Sequence, residues 1–351
     1  MKVFVAGATG VVGKRLVPLL VASGYEVVGM TRARAKEAWL RRVGAEPVVA
    51  DGLDRAAVMQ AVLRAEPEVV IHEMTGLTGV KSFKKFDDEF ALTNRLRTEG
   101  TDYLLEAAQS ARVKRIIAQS YGNWNYERSG SDLKTEDDRF DPTPPANQRK
   151  TLDAIVYLER AVVGATALEG VALRHANHYG PGTGFDPDGD LVKLVRKRRF
   201  PIVGNGAGVW SFIHVDDLAQ ATIAAVERGK PGVYNIVDDE PAPVATWLPE
   251  LARAVGAKPP RHVPVWLGKL ASGDVGVSMM TQIRGTSNAK AKREFGWQPH
   301  YKSWRDGFRT GLGEITPPGS DRTHLQRRPR RLTGARRVRK LVRGSLERSS
   351  R

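Results

Sequence analysis

The chain of 351 residues is 41% hydrophobic and 27% charged, which suits a soluble globular fold and excludes a fibrous or wholly disordered protein. No stretch reaches the roughly 18 uninterrupted apolar residues of a spanning helix, and strand-like Lys2–Ala6 stands where a secretory leader would lie, so neither a membrane span nor a signal peptide is expected. With no cysteine there is no disulfide, thiolate nucleophile or Cys-based zinc site, and the cytoplasm is the expected compartment.

The net charge of +16 is unevenly spread. From Thr316 to Arg351, 12 Lys or Arg face only Asp321 and Glu347, whereas residues 1–315 hold 43 basic and 37 acidic residues. A cationic segment with few large apolar residues cannot bury enough surface to offset its chain entropy, so 313–351 is expected to be a disordered basic tail. A merely solvated tail is the first expectation, and a weak, salt-sensitive anchor for polyanions the alternative. With no basic-plus-aromatic module beside it, no specific nucleic-acid partner is expected.

In chain order, β-branched runs at Val3–Ala6, Val27–Met30, Pro47–Ala50, Val69–His72, Arg115–Ala118 and Val171–Arg174 alternate with helical patterns near Val12–Ala22, Arg55–Arg64, Thr93–Ala111 and Leu152–Ala167. Strands apolar on both faces and separated by helices predict a parallel sheet covered on both sides. Pro18 should kink the first helix or remove one of its backbone hydrogen bonds. After Tyr179 the texture turns Gly/Pro-rich, which places a dinucleotide-binding domain at 1–175 and a smaller substrate region at 176–312, with a strand near Val233–Val237 returning to the first sheet.

The first strand runs into Gly7-Ala8-Thr9-Gly10-Val11-Val12-Gly13 and then a helix. Gly7 permits a tight turn, Gly10 lets backbone approach a pyrophosphate, and Gly13 allows close helix packing, while the helix N-terminus favours an anion. That context, more than the glycine triplet alone, marks a dinucleotide site. After the second strand comes Thr31-Arg32-Ala33-Arg34 with no carboxylate before Glu37. A carboxylate there would hold a 2′-hydroxyl and an Arg accommodates a 2′-phosphate, so NADP(H) is favoured and NAD(H) stays open.

Taken together, the Gly7/Gly10/Gly13 turn, Asp51-Gly52, Val70-Ile71-His72, Asn94, Gly100-Thr101, Leu173-Arg174 with Asn177, Tyr179-Gly180-Pro181-Gly182, Phe212-Ile213-His214-Val215-Asp216-Asp217 and Phe295-Gly296-Trp297-Gln298-Pro299 resemble the short-chain dehydrogenase/reductase superfamily in its NAD-dependent epimerase/dehydratase branch. The resemblance covers roughly 1–310. It implies an α/β fold of Rossmann type, a doubly wound parallel sheet with a smaller C-terminal α/β region. It also implies a cofactor site at Gly7, Thr9, Gly10, Val11, Val12, Gly13, Arg32, Asp51, Gly52 and Met74, and pairing of two copies through two helices as a homodimer.

In that family a Ser and a Tyr-x-x-x-Lys pair serve hydride transfer, the Tyr passing a proton to or from the substrate oxygen. Ser120 resembles the family serine. Thr151 and Ile155 fill the Tyr and Lys places, and none of the eight tyrosines has Lys four residues later. Lys150 and Arg149, beside the vacant Tyr place, and Tyr121 and Tyr126, after Ser120, are the candidate substitutes, with Lys150 put forward, although an ordinary loop or helix-start residue is the plainer reading of each. Glu73 and Met74 stand where relatives carry small apolar residues. A carboxylate beside a cofactor acts as a base when desolvated, although a salt bridge or solvent exposure is the plainer expectation.

Sugar-nucleotide members carry an Arg for the diphosphate where this chain has Trp210, a side chain that stacks on a flat ligand and cannot neutralise phosphate. Asn177 stands where such relatives touch substrate. The expected substrate is therefore a small non-nucleotide carbonyl or hydroxyl compound. Two functions remain open: an NAD(P)-dependent oxidoreductase or epimerase with non-standard catalytic residues, and a catalytically impaired NADP(H)-binding sensor.

Overall fold

Seven parallel strands form the central sheet of the computed structural model, which describes residues 1–77 and 82–313. They are β1 (Lys2–Ala6), β2 (Glu26–Thr31), β3 (Glu46–Val49), β4 (Val69–His72), β5 (Arg115–Tyr121), β6 (Glu169–His175) and β7 (Gly232–Ile236), in the order β7-β6-β5-β4-β1-β2-β3. The register sets Val3 beside Val27 and Val69, and Ile117 beside Ile71 and Val171. Parallel neighbours need crossovers. Helices α1 (Gly13–Ala22), α2 (Arg55–Ala65), α3 (Glu99–Ser110), α4 (Arg149–Val163) and α5 (Val215–Arg228) provide five of the six, and the short helix Glu37–Arg42 lies in the one between β2 and β3.

Alternation along each strand divides the core in two. Val3, Val5, Val69, Ile71 and Ile117 pack with Leu16, Leu20, Leu218 and Ala221 of α1 and α5 on one face. Phe4, Ala6, Val70, Ile116 and Ala118 pack with Val58, Leu104 and Leu158 of α2, α3 and α4 on the other. The sheet is doubly wound, and its strand order reverses between β1 and β4, where ligands sit in such folds.

The expected edge strand near 233–237 does join the sheet, as β7. Helix α1 runs through Pro18 without a break, so the proline deprives only the Lys14 carbonyl of its donor. The helix expected over Thr93–Ala111 is two, Ala91–Arg97 and α3. They part at Thr98, whose ψ is −84° and whose hydroxyl donates to the Asn94 and Arg95 carbonyls in competition with the helical ladder. Beyond Tyr179, short strand pairs and the helices Asp190–Arg196, Val244–Ala254 and Val265–Thr281 surround an aromatic core of Phe185, Phe212, Trp247, Trp304 and Phe308. The tail from residue 314 lies outside the described residues. Among the described residues no helix is long and apolar enough to cross a membrane.

Candidate functional site

The carboxyl ends of β1, β2, β4 and β5 open on one cleft of about 750 Å³. At its centre Gly7 turns with φ +90°, and a Cβ there would lie 2.5 Å from the Glu73 carbonyl oxygen. A Cβ at Gly13 would lie 2.5 Å from the Gly7 carbonyl oxygen, so turn and helix approach each other only as glycines. Gly10 is different: its missing side chain faces little but the Gly7 carbonyl oxygen at 3.3 Å. The opening it leaves, at the head of α1, is the space a pyrophosphate needs.

On the β2–β3 side, Thr9 and Thr31 share a hydrogen bond of 2.9 Å that ties the glycine turn to the end of β2. Lys36 reaches the Thr9 carbonyl at 3.5 Å. Arg32 lines the cleft, exposed and without a partner among the described residues. Asp51 accepts the Leu53 N–H at 3.0 Å, and Gly52 lies directly under the Met74 sulfur, which would have to move to admit a Cβ there. Gly7, Thr9, Gly10, Val11, Val12, Arg32, Asp51, Gly52 and Met74 thus come together on one wall, with Lys14, Arg15 and Lys36 beside them. Gly13 is packed behind that wall.

The other end of the cleft is lined by Glu73, Gln119 and His178. His72 sets its shape. The imidazole is buried, which lowers its pKa to about 4, and in the neutral ring Nε2 donates to the Leu96 carbonyl while Nδ1 accepts the Met74 N–H, both at 3.2 Å. Glu73 is 5% exposed, has neither a salt bridge nor a hydrogen-bond partner among the described residues, and is pushed up to about 8 by burial. Gln119, His178 and the three lysine and arginine side chains were not among the residues expected at the site. Period-2 alternation around Ser120 was the one signal that pointed to Gln119.

Several residues expected to act on substrate lie elsewhere. Ser120 is buried and donates to Glu159 Oε1 at 2.5 Å, in a network where Arg174 grips both Glu159 oxygens and Tyr126. Lys150 is exposed at the start of α4, with its backbone N–H on Asp87. Asn177 accepts from Tyr121 and donates to Asn123 and the Ser211 carbonyl, which ties β5 to the following loops. Trp210 is 7% exposed, packs 4.9 Å from Trp247 and donates its N–H to the Met279 carbonyl. None of these four lines the cleft. Thr151 donates to Asp87 Oδ1 at 2.6 Å and accepts from Asn94, and Ile155 is fully buried.

A doubly wound sheet with a glycine turn and a cleft over its switch point defines a dinucleotide-binding protein. Residues 3–237 match the NAD dependent epimerase/dehydratase family, and the chain belongs to it. It is 42% identical over 308 residues to a 3-diazoavenalumate denitrifying reductase of a Streptomyces species, an alignment covering 88% of this chain and 99% of that one. To the UDP-glucose 4-epimerase of Mycolicibacterium smegmatis it is 28% identical over 314 residues, covering 85% and 94%. In fold it matches the Thermotoga maritima UDP-glucose 4-epimerase with UDP-glucose at a TM-score of 0.69 and 24% identity, covering 89% and 97% of the two chains. The Thermus thermophilus UDP-glucose 4-epimerase complexed with NAD follows at 0.67 and 23%, covering 89% and 98%. The family and these relatives are reductases and epimerases, and the chain is an NAD(P)-dependent enzyme of that oxidoreductase/epimerase type.

Proposed function

We propose that the chain is an NADPH-dependent reductase of a small diazo compound, in which the diazo group leaves as dinitrogen and hydrogen takes its place. The observation that carries this reading lies on α4. Where the resemblance puts a proton-donating Tyr and its Lys, Thr151 is bonded to Asp87 and Ile155 belongs to the core. Reduction of a carbonyl develops an alkoxide and gains about 10² to 10⁴ in rate from a positioned acid. Reduction of an aryl diazonium ion needs none: the ion and NADPH give the arene, dinitrogen and NADP+, with atoms and charge balanced and no added proton. The relative at 42% identity carries diazo, nitrogen loss and reduction in its name.

Bound NADPH would supply the hydride, and the residues of this chain would hold it. Gly7, Gly10 and the head of α1 cradle the pyrophosphate. Arg32, backed by Lys36, meets the 2′-phosphate, since β2 ends in Thr31 with no carboxylate to claim a 2′-hydroxyl. The region 176–312 supplies the substrate side. In it Arg196 donates to the Pro187 and Val255 carbonyls, Arg198 donates to the Pro259 carbonyl, and Trp210 is sealed in the core, so these three are not arranged for a sugar-nucleotide diphosphate.

The test is to incubate the full chain with NADPH and a benzenediazonium salt whose nitrogen is isotopically labelled. Loss of NADPH absorbance matched by labelled dinitrogen and the arene is the expected result. Dinitrogen release that ignores NADPH, alongside reduction of ketones or sugar nucleotides, would end this reading.

A further inference from the structure

Among the described residues nothing in the fold uses the Glu73 carboxyl. Its buried carboxyl finds no partner among the described residues, and an unpaired buried acid costs stability that no contact here offsets. The backbone that carries it is held in place. The Gly7 turn packs against the Glu73 carbonyl, and His72 clamps the next peptide through Leu96 and Met74.

Its position in the cleft is the half away from the adenosine. Arg32, Asp51 and Gly52 mark the end over β2 and β3, the glycine turn marks the centre over β1, and Glu73 lies with Gln119 and His178 over β4 and β5. A dinucleotide laid across the switch point puts its reactive ring in that half. Burial is the one cause that lifts the Glu73 carboxyl, with no charged neighbour contributing, and burial also pushes His178 down toward its neutral form. The cleft's cations among the described residues, Lys14, Arg15, Arg32 and Lys36, belong to the phosphate side, where Arg15 pairs with Asp216 at 3.3 Å. Among the described residues this end therefore holds one carboxyl, that of Glu73, beside the neutral imidazole of His178, and no cation.

We propose that Glu73 contacts the substrate and supplies the negative charge that pairs with the positive nitrogen pair of a diazonium group; this rests on the diazo reading above. A neutral electrophile gains nothing from an anion beside it. A cationic one is drawn into a low-dielectric cleft by it and meets the hydride there without being offered a proton. In the empty cleft the carboxyl holds its proton, which passes to solvent as the cation enters, so binding of the cation and loss of that proton are one event.

The experiment compares para-methoxybenzenediazonium with para-methoxybenzonitrile, which share shape and electron count and differ by one unit of charge. Dissociation constants of the diazonium and of the nitrile, with KM where the diazonium is reduced, are measured on the full chain and on Glu73→Gln, with NADPH and NADP+ affinities beside them. Expected is a preference for the cation that falls by about 30-fold or more in Glu73→Gln, as when one member of a buried ion pair is removed, with nitrile and NADPH binding unchanged. Glu73→Met, similar in volume and uncharged, gives the same comparison if the Gln variant binds cofactor poorly. An unchanged preference while the diazonium is still reduced overturns the role of Glu73 and leaves the diazo reading standing. A charge preference lost in Glu73→Gln, with no diazonium reduced by either protein, supports the anionic subsite and overturns the diazo reading. Loss confined to NADP+ affinity overturns the proposal by assigning the carboxylate to the oxidised nicotinamide.

Discussion

Ser120 donates its hydroxyl to Glu159 at 2.5 Å on the side of β5 facing α4, while its strand neighbour Gln119 lines the cleft. Successive side chains of a strand point to opposite faces, so these two cannot serve the same space. Arg174 holds both Glu159 oxygens, at 2.8 and 2.7 Å, and keeps that carboxylate paired without Ser120. Ser120→Ala is expected to lower stability by about 1 kcal/mol, the worth of one hydrogen bond, and to leave kcat essentially unchanged. Thermal melts run beside steady-state assays check it. A loss of kcat of about 100-fold, the size of a lost proton-transfer group, would return Ser120 to the reacting centre.

Arg32 is a guanidinium without a partner among the described residues, in a cleft whose neighbouring cations, Lys36 and Arg15, have partners. Arg32→Ala should weaken NADPH by about tenfold, the loss of one charge-assisted contact to phosphate, and leave NADH within experimental error. Calorimetric titration with both cofactors decides it, and an equal loss for the two would remove Arg32 from the 2′-phosphate.

The sheet was legible because its evidence is periodic: apolar runs such as Val69–His72 and the glycine turn after Ala6 carry their context with them, and each strand stands where its run predicts. The part of the cleft wall built on the glycine turn was legible for the same reason, since Gly7, Thr9 and Gly10 are neighbours in sequence. The opposite end was not. Glu73, Gln119 and His178 come from three distant segments and meet only through strand order. Trp210 shows the converse limit, because an aromatic side chain at a substrate position and one in an aromatic core have the same local pattern, and only Met279 and Trp247 tell them apart.

Thr151 and Ile155 predict the fate of an attempt to restore the family's acid. Thr151 is fully buried with its hydroxyl on Asp87, and Ile155 packs in the aromatic core, so Ile155→Lys would bury an ammonium with no partner there. The double variant Thr151→Tyr, Ile155→Lys is expected to melt well below the parent and to gain no carbonyl reductase activity. An unchanged melting temperature together with NADPH-dependent reduction of an aldehyde would show that α4 still faces a carbonyl-binding pocket.

The Glu73 carboxyl makes stability depend on pH in a direction that can be worked out. Its pKa is raised from the ordinary 4.5 to about 8 by burial. Below about pH 4.5 the group is protonated in folded and unfolded chains alike, so it costs the fold nothing through ionisation. Between about 4.5 and 8 the unfolded chain gives up the proton and the folded one keeps it, which removes stability at about 1.4 kcal/mol per pH unit. Above about 8 both forms are ionised and the loss levels off. Glu73→Gln does not titrate, so its advantage over the parent should be smallest in acid, widen through neutrality and flatten above pH 8, as read by chemical denaturation of the cofactor-free chain across that range. An advantage that is the same at every pH would show that the carboxylate finds a partner in the folded protein. One that grows as the pH falls would show a carboxyl held below its ordinary range.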